Sequence, residues 1–440
     1  MSKKHWRELP IGKCLSESFA GEWGTEPNPA NARVLRATDI NNEGQINLSG
    51  GAPRRIPAKK LADKRLQAGD ILLEGSGGSP EQPVGRVAFF PGVEGKCDFL
   101  CSNFFKTLRP DPFTANPRFL FWKLMWFYKQ PRLLTLQQQT TGLINLKFDE
   151  YKESTVSVPE DISEQGKVAE VIDTLDTAIH QTEAIVEKLK QVKQGLLHDL
   201  LTRGVDANGK LRPSYEAAPD LYQKTVIGWR PKDWEICQVS SVLSGIDAGK
   251  SPDCQDIPAK GDEWGVLKVG AVHPDGLKLN ENKVVEEARL KNPAYLVRNG
   301  DLLLSRANTF ELVGLVCYVT NHPERLMLSD KTLRLSVKAN RMTTTFLFWQ
   351  LQHPKTRTQI EIAATGTSGS MKNISQGGVE KLWISRPLID EQEEITKRLV
   401  AASDRCRDEQ EKLSKMREMK SGLMDDLLTG RVRVTPLLAQ

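Results

Sequence analysis

Two kinds of hydrophobic pattern alternate along the chain, and each occurs twice. Residues 1–160 and 231–388 carry short apolar runs separated by Gly, Pro, Asn and Asp. The runs with strand character lie at 70–75, 85–90, 301–305 and 313–319, and those with helical character at 118–130 and 344–352. We therefore expect two similar globules of mixed α/β structure.

After Pro159 and after Pro387, apolar residues recur at steps of four and three without an intervening proline. This rhythm is typical of long amphipathic helices that pack on another helix. The seam positions are Ile172, Leu175, Ile179, Val186 and Leu189 in the first run, and Leu399, Cys406, Leu413 and Leu423 in the second. A second apolar row in the first run follows at steps of seven: Val171, Ala178, Ile185 and Val192. The simplest prediction is that the two helices pair with each other as an antiparallel coiled coil.

The chain repeats itself over most of its length, as an internal pseudo-two-fold repeat. The phrase GLLHDLLTRGV at 195–205 returns as GLMDDLLTGRV at 422–432, and Trp6 stands opposite Trp234. Segment order and spacing hold while the residues between the anchors differ, which indicates one structural unit used twice. The predicted segments are a first domain 1–160, a central helix 161–203, a linker 204–230, a second domain 231–388, a C-terminal helix 389–430 and a tail 431–440. The fold class is therefore α+β.

Composition is that of an ordinary globular protein, with 39% hydrophobic and 27% charged residues among 440. No apolar run reaches the length of a membrane span, and the N-terminal stretch lacks the apolar region of a secretory signal. Seven scattered cysteines favour reduced thiols, so we expect a cytoplasmic protein. Basic residues exceed acidic ones by five in both 1–160 and 203–386. Two basic blocks favour either two polyanion sites or two solvated surfaces.

Fragments that imitate catalytic motifs do not complete them. The stretch 244–251 ends like a phosphate loop, but Ser244 stands where the first glycine is needed. The tetrapeptide NPAY at 292–295 resembles a methyltransferase motif, yet no Gly-rich cofactor loop precedes it. No second cysteine pair accompanies Cys97 and Cys101, so we expect no metal. The sequence predicts no self-contained active site.

The repeated segments resemble the specificity (S) subunit of type I restriction–modification enzymes. The resemblance rests on the doubled helix ends, the doubled helix entries and two pairs of loop segments. These are 194–202 with 421–429, 159–165 with 387–392, 74–87 with 303–314, and 141–145 with 368–375. It implies two target-recognition domains, each reading half of an asymmetric bipartite DNA site, with the coiled coil fixing the gap.

The same resemblance implies a non-catalytic chain that recruits two methyltransferase (modification) subunits and, with them, restriction/translocase subunits. The assembly would methylate adenine N6 and cleave DNA as an ATP-dependent type I deoxyribonuclease. S-adenosylmethionine, ATP and Mg²⁺ would belong to those partners, with no cofactor in this chain. Two other functions stay open: a specificity subunit for a partner that fuses methylation and cleavage, and a coiled-coil adaptor that binds no DNA.

Candidate DNA contacts lie in the matched loops and in the basic stretch that follows the second loop. They are Ser76, Gly77, Gly78, Gln82 and Arg86 in the first unit, and Arg306, Asn308, Lys331 and Arg334 in the second. Arg can fork onto guanine, Asn onto adenine, and Lys and Arg neutralise phosphates. The alternatives are an ordinary hairpin at the glycines, a surface ion pair at Arg306 and solvated faces for the basic runs.

Overall fold

A computed structural model describes residues 5–79, 82–93, 97–140, 142–320, 324–366 and 371–438. The chain forms two compact units: 1–184 together with 411–440, and 185–410. This division differs from the sequence boundaries, because each long helix contributes one part to each unit. The predicted helical segments 161–203 and 389–430 are therefore shared between the units.

Among the described residues, the first unit combines twelve short strands, four short helices, part of each long helix and a last short helix. Its strands are β1 Trp6–Pro10, β2 Leu15–Ala20, β3 Ala32–Leu35, β4 Ala52–Arg54, β5 Ile71–Glu74, β6 Ser76–Gly77, β7 Val87–Phe89, β8 Asp98–Cys101, β9 Phe105–Pro110, β10 Gln137–Thr140, β11 Leu143–Leu146 and β12 Thr155–Pro159. Its helices are α1 Ala58–Lys64, α2 Pro117–Tyr128, α3 Arg132–Thr135, α4 Phe148–Glu153 and the long α5 Ile162–Thr202.

The second unit repeats this succession. Its strands are β13 Tyr222–Thr225, β14 Gly228–Pro231, β15 Glu235–Gln238, β16 Leu243–Ala248, β17 Gly265–Leu267, β18 Val272–His273, β19 Gly276–Leu277, β20 Asn282–Val284, β21 Leu302–Ser305, β22 Ala307–Asn308, β23 Val316–Tyr318, β24 Leu326–Met327, β25 Thr332–Val337, β26 Lys372–Asn373 and β27 Trp383–Arg386. Its helices are α6 Thr344–Gln352, α7 Pro354–Ala363, α8 Gln376–Glu380 and the first part of the long α9 Ile389–Leu428. The end of α9 and α10 Thr435–Leu438 belong to the first unit.

The duplication predicted from the sequence is confirmed in the strand topology. The central antiparallel sheet runs β2-β9-β5-β7 in the first unit and β16-β25-β21-β23 in the second. Each unit also has a three-stranded sheet, with the order β4-β3-β8 in the first unit and β20-β17-β24 in the second. Each of these sheets contains one parallel pair of strands. The predicted strands at 70–75, 85–90, 301–305 and 313–319 and the helices at 118–130 and 344–352 are all present.

The repeated helix end is core material in both copies. Leu427 and Leu428, at the end of α9, are buried with Trp6 in the core of the first unit. Leu200 and Leu201, at the end of α5, are buried with Trp234 in the core of the second. The two copies of the phrase are therefore alike because both helix ends complete the same kind of core.

The helices run antiparallel within the first unit, and the assignment of individual residues to the seam stays a prediction. Lys420 pairs with Asp176, and Arg417 pairs with Glu183 at 2.7 Å. A later residue of α5 thus pairs with an earlier residue of α9, as antiparallel helices require. Six seam residues are buried: Ile172, Ile179, Val186, Leu399, Cys406 and Leu413. Three are partly buried: Leu175, Leu189 and Leu423. The second apolar row ends in exposed Ile185 and Val192, so the buried stripe is one row wide there.

The doubled Glu-Gln entry ties each long helix to its own domain. Gln165 accepts from the backbone N–H of Asn116 at 2.7 Å, and Asn116 caps α2. Gln392 accepts from the N–H of Thr343 at 2.9 Å, and Thr343 caps α6. The same two-residue signal thus fixes the same joint in both units.

Two glycines of the C-terminal helix region predict opposite effects of the same substitution. Gly430 has φ of +71°, and a Cβ there would lie 2.9 Å from the Trp6 ring. Gly422 lies inside α9, and a Cβ there would have no neighbouring atom within 4 Å among the described residues. We expect Gly430→Ala to lower the free energy of unfolding of the first unit by about 2 kcal/mol and Gly422→Ala to raise it by about 0.5–1 kcal/mol. Thermal unfolding of the two variants measures the direction of each change in stability. Unfolding midpoints that both rise or both fall would contradict the different roles given to the two glycines.

Candidate nucleic-acid interface

The matched loops place a short reader segment, residues 75–78 and 306–309, at the same point of each unit. In the first unit β6 pairs with β11, so that Ser76 faces Asn145. In the second unit β22 pairs with β26, so that Ala307 faces Asn373. The two reader segments therefore share one backbone arrangement.

Backbone hydrogen bonds confirm this correspondence. The N–H of Gly75 donates to the carbonyl of Phe104 at 2.7 Å, and the N–H of Arg306 donates to the carbonyl of Lys331 at 2.8 Å. On the other side, the carbonyls of Gly75 and Arg306 each accept a backbone N–H at 2.9 Å. Gly75 therefore corresponds to Arg306, and Phe104 to Lys331. One scaffold presents different side chains in the two units.

In the first unit, the predicted contacts are joined to one another and to their neighbours. Arg86 forks onto buried Glu74 at 2.8 and 3.0 Å and is itself only 12% exposed. The hydrogen bonds to Glu74 raise the pKa of Arg86 above its ordinary value. Asn42 accepts from Gln82 at 2.6 Å and from Arg86 at 3.3 Å, so these residues form one polar cluster.

The glycines of the first reader segment have a conformational reason. Gly77 and Gly78 have φ of +121° and +70°, which disfavours any side chain. A Cβ on Gly78 would also lie 2.8 Å from the backbone nitrogen of Val84. Ser76 faces the opposite strand, with its Oγ 2.6 Å from the Oδ1 of Asn145. The turn explains the glycines, while their role in DNA contact stays a prediction.

The second reader segment carries more polar chemistry. Arg306 is partly exposed, and its buried Nε has no hydrogen-bond partner among the described residues. Asn308 is buried, and its amide donates to the carbonyl of Val269 at 3.2 Å. Of these two side chains, Arg306 is the more exposed.

The two predicted phosphate contacts differ in accessibility. Lys331 is 40% exposed and pairs with Asp330 at 2.8 Å. Burial alone would raise the pKa of Asp330, but hydrogen bonds from Lys331 and Ser251 lower it overall. Arg334 lies against Asp247, Asp301 and the carbonyl of Leu296, and only 13% of its side chain is exposed. Lys331 is therefore the more available of the pair.

Acidic residues distant in sequence offset much of the basic stretch 325–357. Arg341 pairs with Glu235 at 2.8 Å, and Arg325 lies 3.7 Å from Asp262. Arg357 donates to the carbonyl of Val313 at 2.9 Å, and burial lowers its pKa. The charge excess counted along the sequence is thus partly balanced by strand pairing and loop packing.

Other chemistry is not assembled in the described ranges. They contain no group of three or more His, Cys, Asp and Glu side chains able to hold a metal ion. Nor does any helix there combine the length and apolarity that a bilayer crossing requires. All seven cysteines are free, and burial raises the pKa of the Cys14 thiol to about 11.

Sequence reasoning missed most of the residues that frame the reader segments. Asn145 and Asn373 pair with them, and Phe104 and Lys331 support them. The two asparagines lie in the matched segments 141–145 and 368–375, but only Lys331 was predicted as a contact. The doubled spacing of the two loops is the signal that could have located these positions. Of the family's loop motifs, Thr141 and residues 368–370 lie outside the described residues.

Two solved structures from type I restriction–modification systems share the architecture of this chain. The S subunit of the type I restriction–modification system from M. genitalium covers 96% of this chain and 96% of its own, with a TM-score of 0.58 and 14% identity. A chain from a structure of type I restriction–modification complex assembly and conformational transition covers 97% and 98%, with a TM-score of 0.53 and 14% identity. At this level of identity the likeness defines the fold.

The family follows from the sequence match. The model of the type I restriction modification DNA specificity domain matches residues 30–191 and 231–415, and the chain belongs to this family. The putative MjaX specificity subunit of Methanocaldococcus jannaschii is 24% identical over 86% of this chain and 82% of its own length. The EcoEI specificity subunit of Escherichia coli is 32% identical over 36% of this chain, and the matched part spans about a quarter of that protein, 27%.

Proposed function

We propose that this chain is the sequence-reading subunit of a type I restriction–modification enzyme. Each unit reads one half of an asymmetric bipartite DNA site, and the paired helices set the unread gap. The observation that carries the proposal is the duplicated reader segment, in which one backbone arrangement presents Gly75 and Phe104 in the first unit but Arg306 and Lys331 in the second. Different side chains on one scaffold are what two different half-sites require.

The proposal assigns the chemistry to partners. Two methyltransferase subunits and restriction/translocase subunits would supply methylation of adenine N6 and ATP-dependent cleavage, with their own S-adenosylmethionine, ATP and Mg²⁺. Family membership and the structural likeness to S subunits support this arrangement. The chain would act in the cytoplasm, as a non-catalytic component.

Mapping methylated adenines across the source genome, with and without the gene, tests the proposal. We expect one bipartite motif with a fixed unread gap to lose methylation on deletion. Replacing residues 1–160 with the corresponding domain of a relative should then change one half of that motif and leave the other half and the gap intact. Unchanged methylation despite expression would contradict the proposal and favour the coiled-coil adaptor.

A matched pair of variants sharpens this test within the second unit. Arg306→Ala should relax the base preference of one half-site, because Arg306 is a partly exposed side chain of the reader segment and Arg can fork onto guanine. Arg289→Ala is the control, since Arg289 is 80% exposed and pairs with nearby Glu287. If the two variants methylate the same motif, Arg306 does not contribute to base recognition.

A further inference from the structure

A cavity beside the first reader segment has no assigned role. Its volume is about 540 Å³, and it is lined by Trp23, Arg36, Ala37, Thr38, Ser102, Asn103 and Phe104. Phe104 is one of the lining residues, and its side chain is 47% exposed. The cavity is therefore lined in part by an accessible aromatic ring.

Phe104 is fixed directly to the reader segment. Its carbonyl accepts the N–H of Gly75 at 2.7 Å and the N–H of Ser76 at 3.2 Å. The backbone of Phe104 is thus adjacent to the reader segment. In the second unit the same position carries Lys331, held to Arg306 by the equivalent bond.

One residue that lines the cavity, Ser102, has a hydroxyl group without a hydrogen-bond partner among the described residues. Ser102 is 3% exposed. The corresponding Ser329 is satisfied, because its hydroxyl lies 3.2 Å from that of Thr332. In the first unit Phe105 begins the matching strand, so this internal partner is lost. A buried hydroxyl without a partner is costly unless an incoming group supplies the bond.

These features describe the kind of group that fits. It has an apolar part for Phe104 and Trp23 and a hydrogen-bonding part for Ser102. The major-groove edge of a base pair provides both, since thymine carries a methyl group beside its O4 acceptor. We propose that Phe104 is a specificity-determining residue that contacts a base of the first half-site through this cavity. The proposal rests on the DNA-reading function proposed above.

The experiment measures discrimination rather than affinity alone. The full-length chain, in complex with its methyltransferase subunits, is titrated with duplexes in which each base pair of the recognised motif is changed in turn. For Phe104→Ala and Phe104→Lys we expect the ratio of Kd values to fall by about tenfold at one or two positions of one half-site. Arg306→Ala should affect positions of the other half only.

Phe113→Ala is the matched control, because Phe113 is 88% exposed in the same unit and its N–H bonds to Asp111 rather than to the reader segment. Unaltered discrimination in both Phe104 variants would overturn the inference, as would effects of Phe104 and Arg306 variants on the same half-site. A wild-type complex without sequence preference would instead refute the proposed function. Ratios remain measurable in a weakened complex, so a moderate loss of stability does not obscure the result.

Discussion

Glu391→Ala is expected to destabilise the second unit by about 3 kcal/mol, because three donors lose their shared acceptor. Glu391 pairs with Arg212 and accepts from the N–H of Val205 at 3.0 Å and from the indole of Trp234 at 3.1 Å. Both members of the ion pair are 13% exposed, so water compensates little. One carboxylate thus holds together the start of one long helix, the segment after the other and the start of the second domain.

The thermal transition of the second unit should fall by roughly 6–12 °C in this variant. Glu393→Ala is the control, since Glu393 lies near the start of the same helix but is exposed. Glu391→Gln, which keeps an acceptor oxygen but removes the charge, should lie between the two. Hydrogen exchange resolves which unit is affected. A loss confined to the first unit, or equal effects of the two alanine variants, would contradict this account.

Leu428→Ala is expected to destabilise the first unit by about 3 kcal/mol, although the residue lies far along the chain from the rest of that unit. Leu428 is fully buried in the core that contains Trp6 and Phe119. Removing its side chain leaves a cavity among rigid aromatic rings. Leu201→Ala should have the same effect on the second unit, because Leu201 occupies the matching place beside Trp234.

Hydrogen exchange of β9 and of β25 distinguishes the two variants. Protection of β9 should fall in Leu428→Ala and that of β25 in Leu201→Ala. Val432→Ala is the control, since Val432 is exposed and follows the same helix. Loss of protection in the wrong unit would mean that the repeated helix ends do not complete the cores as described.

The parts of the fold that follow from periodicity could be predicted from the sequence. The two long helices depend on helical repeat alone, and Ile172, Ile179 and Leu413 are buried as that repeat predicts. The exposed Ile185 and Val192 could not be anticipated, because a second apolar row is buried only where another surface covers it. Spacing predicted the elements, and packing decided how wide their buried face became.

The reader side chains are harder to predict for a different reason. The charge of Arg86 suggests an outside partner, yet Glu74 lies across a strand pair and binds it. The charge of Arg334 also suggests an outside partner, yet Arg334 forms ion pairs with Asp247 and Asp301 within the same unit. A count of charges along the chain does not include such partners. Duplication is the better guide, because it locates Phe104 opposite Lys331 without reference to charge.

The order of synthesis gives the shared cores a further meaning. The first unit needs Met424, Leu427 and Leu428, which leave the ribosome after the whole second unit has been made. The domain that is translated first is therefore the one completed last, and until then its apolar surface around Trp6 stays uncovered. A chain that stops early would carry this open core, which is the kind of surface that chaperones and proteases recognise. The packing of the first domain thus depends on residues from the other end of the chain.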